Sequence, residues 1–434
     1  MQPAAHLQAA IELLDQIHHS NETGGLPIDV LIKAYFKTRR YAGSGDRRKV
    51  RDVLFDMLRH WGIGRWWAAA AGLPAEARSW AIGILNQRGD DLSFFGAGPF
   101  APPALSNREA EALARMRGAA ATEWATANMP EALFEVMQQR YAYAVPSMVN
   151  ALAKRAPVTL RVNLAKTTFT RALAALRASD IDAQPGVFSA TALHIPLGTD
   201  VSAHPLYLEG HIEVQDEASQ LCAALVAPPP GGTVIDLCAG AGGKALAIAA
   251  LNPKAKIIAC DTSKARLDAL TERAARAGVR AISTVLLPPD FPQQPCPELA
   301  AFAHTAHQVL IDAPCSSSGT WRRRPEVRWR YDSAAIARFS GQQRRLCAAG
   351  ASLLRRGGRL CFATCSLLPQ EGEAVFNALQ DGQISLEVLD YRTQIPPKAV
   401  KKMPETLSNI KECLLMSPHI HGCDGFFAAA LKRL

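Results

Sequence analysis

Val234-Ile-Asp-Leu-Cys-Ala-Gly-Ala-Gly-Gly-Lys244 is the stretch of sequence that decides the fold. Its apolar first half predicts a buried strand, and the glycines that follow predict a tight turn into a helix. Gly240 and Gly242 permit positive φ and let the backbone approach a ligand, and Gly243 stands where the helix N-terminus begins. A buried strand, a glycine turn and a helix in this order are typical of an α/β domain that binds a nucleotide or nucleoside.

Strand-like runs alternate with helices from residue 213 to the C-terminus. The predicted strands are 233–237, 257–260, 309–311 and 359–363, and the predicted helices are 244–250, 264–277 and 334–354. Alternation of this kind implies βαβ units. We therefore predict an α/β fold for residues 213–434, with a Rossmann-like, mostly parallel, doubly wound sheet.

Two further domains are predicted before this sheet. Residues 1–130 carry apolar residues at three- and four-residue spacing, for example from Leu7 to Leu14, which predicts an all-helical domain. Residues 131–212 are expected to form a linker helix and then a small α+β module, because the period of the pattern changes. The predicted elements of this module are strand 158–162, helix 170–178 and strand 192–195.

Composition limits the class of protein. The chain has 434 residues, of which 48% are hydrophobic and 20% are charged, as in globular domains; wholesale disorder is excluded. The net charge of +9 does not by itself separate a nucleic-acid binder from a solvated surface. Apolar runs stay short of the roughly 18 residues that span a bilayer, and the N-terminus lacks the pattern of a secretory signal. We expect a cytoplasmic protein with no membrane partner.

Cysteine usage points to a reducing compartment. All 10 cysteines follow residue 221, and none forms a Cys-x-x-Cys pair. This argues against disulfides and against structural zinc, so no metal site is expected. Most of the thiols are expected to pack as small buried hydrophobes.

Two aspartates narrow the ligand of the glycine turn. Asp261 closes the next predicted strand, where a carboxylate can accept hydrogen bonds from both ribose hydroxyls of an adenosine. Gly240-x-Gly242-x-x-Ala245 also satisfies the dinucleotide fingerprint, so a nicotinamide-dependent dehydrogenase is an alternative. Asp236, however, suits the amino group of a methionine moiety and would oppose a pyrophosphate. S-adenosylmethionine is therefore the predicted cofactor.

Two cysteines follow two other predicted strands, in Asp312-Ala-Pro-Cys315 and Thr364-Cys365-Ser366. The carboxyl ends of strands in a doubly wound sheet face one crevice, so both thiols can reach one substrate. This set suits methylation of a pyrimidine, in which a thiolate adds to carbon-6 and makes carbon-5 nucleophilic. Asp312 is placed to hydrogen-bond or protonate ring nitrogen 3, and a second group can then help to remove the carbon-5 proton.

Four motifs together resemble those of the Sun/Fmu, or NSUN-type, family of RNA cytosine-5 methyltransferases. They are Asp236 to Lys244, Asp312 to Cys315, Thr364 to Ser366 and Asp424-Gly-Phe-Phe427. The resemblance implies that Cys365 is the nucleophile and that Cys315 assists product release. It makes 213–434 a catalytic domain that binds S-adenosylmethionine through Asp236, Cys238, Ala239, Gly240, Ala241, Gly242, Gly243, Lys244, Asp261 and Asp312.

The adenine contact departs from the family pattern. The family usually has a strand followed by Gly-Asp, whose carboxylate holds the adenine amino group. Here the segment is Val285-Leu-Leu-Pro-Pro-Asp290, and Asp290 is the candidate for that contact.

Several basic motifs imply RNA contacts. Arg161-Val-Asn163 resembles an entry motif of the family, and the run from Arg322 to Arg330 interleaves arginines with tryptophans, which allows phosphate neutralisation and base stacking. Arg47 and Arg48 precede a predicted amphipathic helix in a region similar to a NusB-like RNA-binding domain. The predicted RNA-binding residues are Arg47, Arg48, Arg161, Asn163, Arg322, Arg323, Arg324 and Arg328, with Trp321 and Trp329 available for stacking.

The prediction is methylation of carbon-5 of cytosine in RNA by a monomer, with small-subunit ribosomal RNA preferred as substrate and transfer RNA second. The alternative from another class is a non-catalytic RNA-binding or assembly protein with the same fold, and the dehydrogenase is a further alternative. The presence of both cysteines, Asp312 and the glycine loop together favours the methyltransferase.

Overall fold

The computed structural model of the chain describes residues 1–226, 228–294, 296–382 and 384–434. These residues form two compact units. The helical unit comprises residues 1–153 and 323–333, and the α/β unit comprises residues 154–322 and 334–434. The domain boundaries predicted after residues 130 and 212 stay predictions.

The helical unit is built from helices broken by glycine and proline. In order they are α1 (Pro3–Thr23), α2 (Ile28–Lys37), α3 (Ser44–Arg59), α4 (Trp61–Ala70), α5 (Ala77–Arg88), α6 (Asn107–Arg115), α7 (Glu123–Thr126), α8 (Glu131–Tyr141) and α9 (Val145–Ala153), with 3-10 turns at Ala142–Ala144 and Val327–Trp329. Gly24 ends α1 in the left-handed conformation, at φ 66°. Ser106 begins α6 with a capping box, since its side chain accepts the N–H of Glu109 while the Glu109 carboxylate accepts the Ser106 N–H.

Three tryptophans fill the core of the helical unit. Trp61, Trp67 and Trp80 are all 1% exposed or less. Trp329, from the segment 323–333, packs its ring 6.1 Å from that of Trp61. The all-helical character predicted for this region is confirmed, and the unit also holds a segment that the sequence predictions assigned to the other domain.

A four-stranded antiparallel sheet begins the α/β unit. Its strands are β1 (Val158–Val162), β2 (Gln184–Pro185), β3 (Ala192–Ile195) and β4 (Ile212–Val214), in the order β2-β3-β1-β4, with helices α10 (Phe169–Ala178) and α11 (Pro205–Leu208). Leu160 and Val162 of β1 pack with Ala172 and Leu176 of α10 in one small core. Alternation of apolar residues therefore produced the small α+β module as predicted.

The larger sheet of this unit has eight strands. They are β5 (Thr233–Asp236), β6 (Lys256–Asp261), β7 (Ile282–Leu286), β8 (Ala306–Asp312), β9 (Leu354–Thr364), β10 (Leu386–Leu389), β11 (Leu414–Met416) and β12 (Phe426–Arg433). The order is β10-β12-β9-β8-β5-β6-β7, and β11 pairs with β12. The helices are α12 (Glu217–Leu225), α13 (Gly243–Leu251), α14 (Lys264–Ala277), α15 (Pro297–Ala300), α16 (Ser333–Leu353), α17 (Glu373–Gln380), α18 (Tyr391–Gln394), α19 (Pro397–Lys402) and α20 (Pro418–His421), with 3-10 turns at Ser318–Thr320 and Pro369–Glu371.

Strands β5 to β9 run parallel, whereas β12 runs antiparallel to β9, β10 and β11. The predicted α/β fold with a Rossmann-like, mostly parallel sheet is thus confirmed. The four strands predicted from the alternating pattern do not include β7, β10, β11 or β12. Of these, β7 and β10 lie at the two edges of the sheet with half-buried and exposed residues. Edge strands lack the continuous apolar run that marks a buried parallel strand, so their pattern is weaker.

The carboxyl ends of the central strands lie side by side. Asp236 of β5 is in register with Ala259 of β6 on one side and with Leu310 of β8 on the other. Asp312, which ends β8, is in register with Ala363 of β9. The loops after β5, β6, β8 and β9 therefore start side by side, at the carboxyl ends of the central strands.

In the part of the chain that the structure describes, every helix is too short or too polar to cross a lipid bilayer.

Close contact between two glycines generates a prediction for stability. The Gly425 N–H donates to the Gly319 carbonyl at 2.9 Å, and a Cβ on Gly319 would overlap the Gly425 carbonyl oxygen. We expect Gly319→Ala to lower the free energy of unfolding by about 1–3 kcal/mol, because backbone atoms cannot move aside as a flexible side chain can. Chemical denaturation followed by circular dichroism measures the change.

Gly341→Ala is the matched control for this substitution. Gly341 lies within α16, and a Cβ there would meet only the end of the Arg345 side chain, at 3.5 Å. Since alanine favours a helix over glycine, this variant should be equal to or more stable than the parent by up to about 1 kcal/mol. Equal losses in both variants would contradict the packing argument.

Candidate active site

The glycine turn between β5 and α13 has the geometry that its sequence predicts. Gly240 and Gly242 adopt φ of 54° and 83°, and a Cβ on Gly242 would lie 2.6 Å from the Leu270 side chain. Only glycine fits the second position without displacing α14. The N–H of Gly240 donates to Asp261 at 2.9 Å, so the turn is tied to the end of β6.

Asp261 is buried and held by backbone groups. One carboxylate oxygen accepts the Gly240 N–H, and the other accepts the Ser263 N–H at 2.8 Å. The guanidinium of Arg266 lies 3.9 Å away. These bonds fix the carboxylate at the carboxyl end of its strand, and each oxygen keeps a second lone pair for a ligand hydroxyl.

Asp236 is a buried carboxyl with little internal compensation. It is 1% exposed and accepts one long bond, from the Cys238 N–H at 3.4 Å. Burial, and next the Asp312 carboxylate, raise the pKa of Asp236 to about 7. A ligand ammonium placed here would stabilise the ionised form, so the donor set fits the amino group of a methionine moiety.

Lys244 and Asp312 form a partly buried ion pair. The Lys244 ammonium lies 2.6 Å from an Asp312 oxygen and 4.7 Å from the centre of the Phe426 ring. Burial lowers the pKa of Lys244, but the charge of Asp312, the hydrogen bond to it and the nearby Cys222 and Cys365 thiols together outweigh burial, so the pKa of the ammonium is raised. Asp312 keeps 31% of its side chain exposed, so the lysine orients a carboxylate that a substrate can still reach.

The two predicted thiols lie together. The Sγ atoms of Cys315 and Cys365 are 3.5 Å apart, and the Gly319 N–H donates to the Cys365 carbonyl at 3.0 Å. The hydrogen bond from the Cys315 thiol lowers the pKa of Cys365 despite burial, and the same bond, with burial, raises the pKa of Cys315. These opposite shifts favour Cys365 over Cys315 as the thiolate of the pair.

A buried glutamate beside the thiols was missed by the sequence predictions. Glu371 is 0% exposed and accepts hydrogen bonds from Ser316 and Ser366, the residues that follow the two cysteines. Glu371-Gly-Glu373, shortly after Cys365, stands where the resembled family commonly has Glu-Asn-Glu, and this pair of acidic residues was given no role. Such a pair is more often a solvated helix start.

The other residues predicted to bind the cofactor lie in the glycine turn or beyond β7. The Ala239 N–H donates to the Cys260 carbonyl at 2.9 Å, and the Ala241 carbonyl accepts from Arg273 at 2.6 Å. Asp290 is exposed beyond the end of β7, where it accepts from Gln294 at 3.4 Å. Cys238 is half-buried in the turn.

Arg161 and Asn163 are buried in the α/β unit and differ from the surface contacts that we expected. Arg161 donates to Gln215 at 2.6 Å, and Gln215 in turn donates to the Gly243 carbonyl at 3.2 Å. Asn163 donates to the carbonyls of Gly210 and Ala277. These side chains support the glycine turn and its surroundings, so we do not retain them as RNA contacts.

Arg322 and Arg328 are also buried. Arg322 donates to Asp424 at 2.8 Å within the α/β unit, and Arg328 donates to the Asn128 carbonyl at 2.9 Å within the helical unit. Their intramolecular partners remove both from the candidate RNA contacts, and Trp321, at 1% exposure, is removed as a stacking residue. Trp329 is half-buried in the tryptophan core and is removed as well.

Four predicted RNA-binding residues remain accessible. Arg47, Arg48 and Arg324 are exposed, and Arg323 is half-buried. Arg47 also donates to the Ala42 carbonyl, and Arg324 to Glu326. All four belong to the helical unit.

Two family models match most of the chain. The model described as "16S rRNA methyltransferase RsmB/F" matches residues 223–432, and the model described as the ferredoxin-like domain of RsmF/B-like methyltransferases matches residues 129–202. The first match contains the glycine turn, both thiols and Asp312.

Two curated relatives carry the name ribosomal RNA small subunit methyltransferase B. The relative from Photorhabdus laumondii is 31% identical over 306 residues, which is 70% of this chain and 66% of the relative. The relative from Escherichia coli is 32% identical over 269 residues, which is 62% of this chain and 61% of the relative. The chain thus matches between three fifths and two thirds of the length of these relatives.

One solved structure is similar over nearly the whole chain. The crystal structure of PH0851 aligns with a TM-score of 0.76 over 99% of both chains, at 23% identity. At this identity the likeness supports the fold alone.

The buried Asp236 carboxyl generates a prediction for stability against pH. Because the pKa of Asp236 is about 7 in the folded chain and near 3.8 in a free side chain, the folded state binds the extra proton between these values. Stability therefore falls as pH rises through this range. Asp236→Asn removes the fall, so its melting temperature should exceed that of the parent by more at pH 8 than at pH 5.

Differential scanning calorimetry without ligand measures this difference. Asp268→Asn is the control, since the Asp268 side chain on α14 is 59% exposed, and its effect should not change between the two pH values. An Asp236→Asn advantage that stayed constant with pH would show that the folded state does not protonate this carboxyl.

Proposed function

Because the chain belongs to the RsmB/F family of 16S rRNA methyltransferases, we propose that it methylates carbon-5 of a cytosine in small-subunit ribosomal RNA. The single observation that carries this proposal is the pair of thiols 3.5 Å apart, at the ends of adjacent strands and beside the glycine turn. Transfer RNA is the second candidate substrate, because the same chemistry would serve both.

Cys365 is the proposed nucleophile. Its lowered pKa favours the thiolate, which adds to carbon-6 of the cytosine and leaves carbon-5 electron-rich. Asp312 accepts or delivers the proton at ring nitrogen 3 as the electrons of the ring shift, and Lys244 holds the carboxylate for that contact. Carbon-5 next attacks the methyl group of the donor. After this transfer, carbon-5 carries the methyl group and still holds its original proton.

Cys315 is proposed to assist release. Removal of the carbon-5 proton restores the ring double bond, and the bond between Cys365 and carbon-6 breaks with its electrons returning to sulfur. Cys315 first releases its own proton to solvent, and its raised pKa then makes the resulting thiolate a stronger base than that of Cys365 for the carbon-5 proton. Two thiols of opposite character thus divide addition and release.

S-adenosylmethionine is the proposed methyl donor, and when bound it supplies an electrophilic methyl group. Asp261 would hold its ribose hydroxyls and Asp236 its amino group, with the glycine turn from Cys238 to Gly243 along the ligand. Lys244 would act through Asp312 rather than on the donor, because its ammonium is already paired. Asp290 is retained as the candidate adenine contact, since it follows β7, the neighbour of β6.

RNA binding is proposed for the helical unit. Arg47, Arg48, Arg323 and Arg324 keep exposed or half-exposed guanidinium groups that can neutralise phosphates. We place the NusB-like RNA-binding role in residues 1–130, the linker and α+β module in 131–212 and catalysis in 213–434. The enzyme is proposed to act as a cytoplasmic monomer on RNA.

The two alternatives have less support. A dehydrogenase has no use for paired thiols, and a buried Asp236 beside the turn opposes a pyrophosphate. A non-catalytic assembly protein gains nothing from a thiol pair with one lowered pKa and one raised pKa.

Covalent trapping tests the roles of the two thiols. Incubation with RNA that contains 5-azacytidine should yield an adduct with the parent chain and with Cys315→Ala, but none with Cys365→Ala. Denaturing gels and mass spectrometry of the RNA-linked peptide read the result.

Cys296→Ala is the control for this assay, because Cys296, just before α15, donates to Glu298 at 3.2 Å rather than to either thiol. An adduct formed by Cys365→Ala but not by Cys315→Ala would reverse the two roles. Normal turnover by Cys315→Ala would remove its role in release.

Calorimetry tests the donor site. Asp261→Ala should weaken S-adenosylmethionine binding by about 10-fold or more, because a buried acceptor of two ligand hydroxyls is lost. Asp268→Ala, on the exposed face of α14, should bind as the parent does. Tighter binding of NAD than of S-adenosylmethionine by the parent chain would contradict the proposed function.

A further inference from the structure

Glu371 lies at the centre of a hydrogen-bond network under the two thiols. It ends the 3-10 turn Pro369–Glu371 that follows β9, and its side chain is fully buried. One carboxylate oxygen accepts the Ser316 N–H at 2.8 Å, and the other accepts the Ser366 hydroxyl at 2.6 Å. The Ser316 hydroxyl also donates to this second oxygen.

Each serine stands directly after one of the thiols. Ser316 follows Cys315 and Ser366 follows Cys365. A single carboxylate therefore joins the loop after β8 to the loop after β9 within one residue of both Sγ atoms.

Further bonds tie the same two loops. The hydroxyls of Ser318 and Ser366 are 3.0 Å apart, and the Leu367 N–H donates to Ser318 at 2.8 Å. Gln343, on α16, donates to the Pro314 carbonyl at 2.8 Å and lies 3.5 Å from Glu371. The network thus reaches from the backbone before Cys315 to the backbone after Cys365.

A buried carboxylate is a costly way to pack a loop. Desolvation raises the pKa of Glu371 against the hydrogen bonds from the two serines. An apolar side chain of similar volume would avoid that cost if packing were the only requirement. A carboxylate with several neutral donors instead fixes direction, since each bond constrains one loop relative to the other.

We propose that Glu371 is a positioning residue that holds Cys315 and Cys365 at their contact distance and keeps the shared proton on Cys315. This inference rests on the proposed roles of the two thiols. The Glu371 charge acts on the nearer loop as well, because it adds to the raised pKa of Cys315. The carboxylate therefore sets both the geometry of the pair and which thiol is ionised.

Glu371→Gln is the main test, because it keeps the size of the side chain while replacing one acceptor oxygen by an NH2 donor. Ser316 and Ser366 would then face a donor, so the two loops lose part of their common anchor. Single-turnover methylation and 5-azacytidine trapping should slow by about 10- to 100-fold, as expected for misplaced reacting groups. Binding of S-adenosylmethionine should stay within about twofold of the parent.

The proton on Cys315 provides a readout that a merely structural role would not move. At neutral pH, limiting iodoacetamide should label Cys365 in preference to Cys315 in the parent chain, as peptide mass spectrometry can measure. In Glu371→Gln the ratio of Cys365 to Cys315 labelling should fall by about threefold or more, because the charge that holds the proton on Cys315 is lost.

Glu373→Gln is the matched control. Glu373 is also buried, at 8% exposure, but its carboxylate accepts from Ser408 at 3.3 Å rather than from the residues beside the thiols. Its labelling ratio and trapping rate should match those of the parent. Ser366→Ala, which removes one donor and little volume, serves as the second variant if Glu371→Gln melts well below the parent.

Three results would overturn the proposal. They are trapping and labelling by Glu371→Gln within about twofold of the parent, an equal loss in Glu373→Gln, and a parent labelling ratio that favours Cys315. Labelling needs neither RNA nor methyl donor, so it tests the positioning role even if the parent forms no adduct. Absence of both adduct and methylated RNA in the parent would instead contradict the proposed function.

Discussion

Asp236, Asp261, Asp312 and Thr364 end four neighbouring parallel strands of the larger sheet, and the rest of the site depends on this arrangement. Neighbouring parallel strands have their carboxyl ends on the same side of the sheet, so residues far apart in the chain meet there without any local motif joining them. The glycine turn and the two cysteine loops start from these carboxyl ends. Their contacts are then completed by hydrogen bonds between loops rather than by bonds within the sheet.

Negative charge is concentrated at the carboxyl ends of these strands, and the hydrogen bonds and ion pairs that offset it are unevenly distributed. Asp261 is held by two backbone N–H groups and Asp312 by Lys244, whereas Asp236 has one long bond. The fold therefore carries a destabilising carboxyl where the proposed ligand would bring an ammonium. A site with strained electrostatics of this kind is typical of a binding function, because a structural role alone would favour an apolar or amide side chain.

Burial decides which of the basic residues can contact RNA. A run of arginines from Arg322 to Arg330 suggests one positive surface, yet Arg322 and Arg328 donate to internal acceptors in two different units. Arg161 likewise supports the glycine turn through Gln215. Arg47, Arg48 and Arg324 have exposed guanidinium groups, and all three belong to the helical unit. They support the proposal that this unit binds RNA.

Local patterns in the sequence were sufficient for the element types, the glycine turn and the order of the thiol motifs. Periodicity and turn preferences depend on residues close in the chain. Local sequence is therefore sufficient to predict strands such as β1 and β6 and the turn at Gly242. The family resemblance rested on motifs of the same local kind, and the family matches confirm it. Weakly patterned edge strands such as β7 fell outside this reach.

Tertiary structure decided which polar groups meet. Glu371 lies in the turn after β9 and Gln343 on α16. Both reach the loop after β8 because the fold brings these elements beside it. No pattern in the sequence separates a buried arginine with an internal acceptor from an exposed one, because desolvation depends on every element that surrounds the side chain. The sequence thus determined the chemical groups of the site, and the packing of distant elements determined their distances, their partners and their protonation.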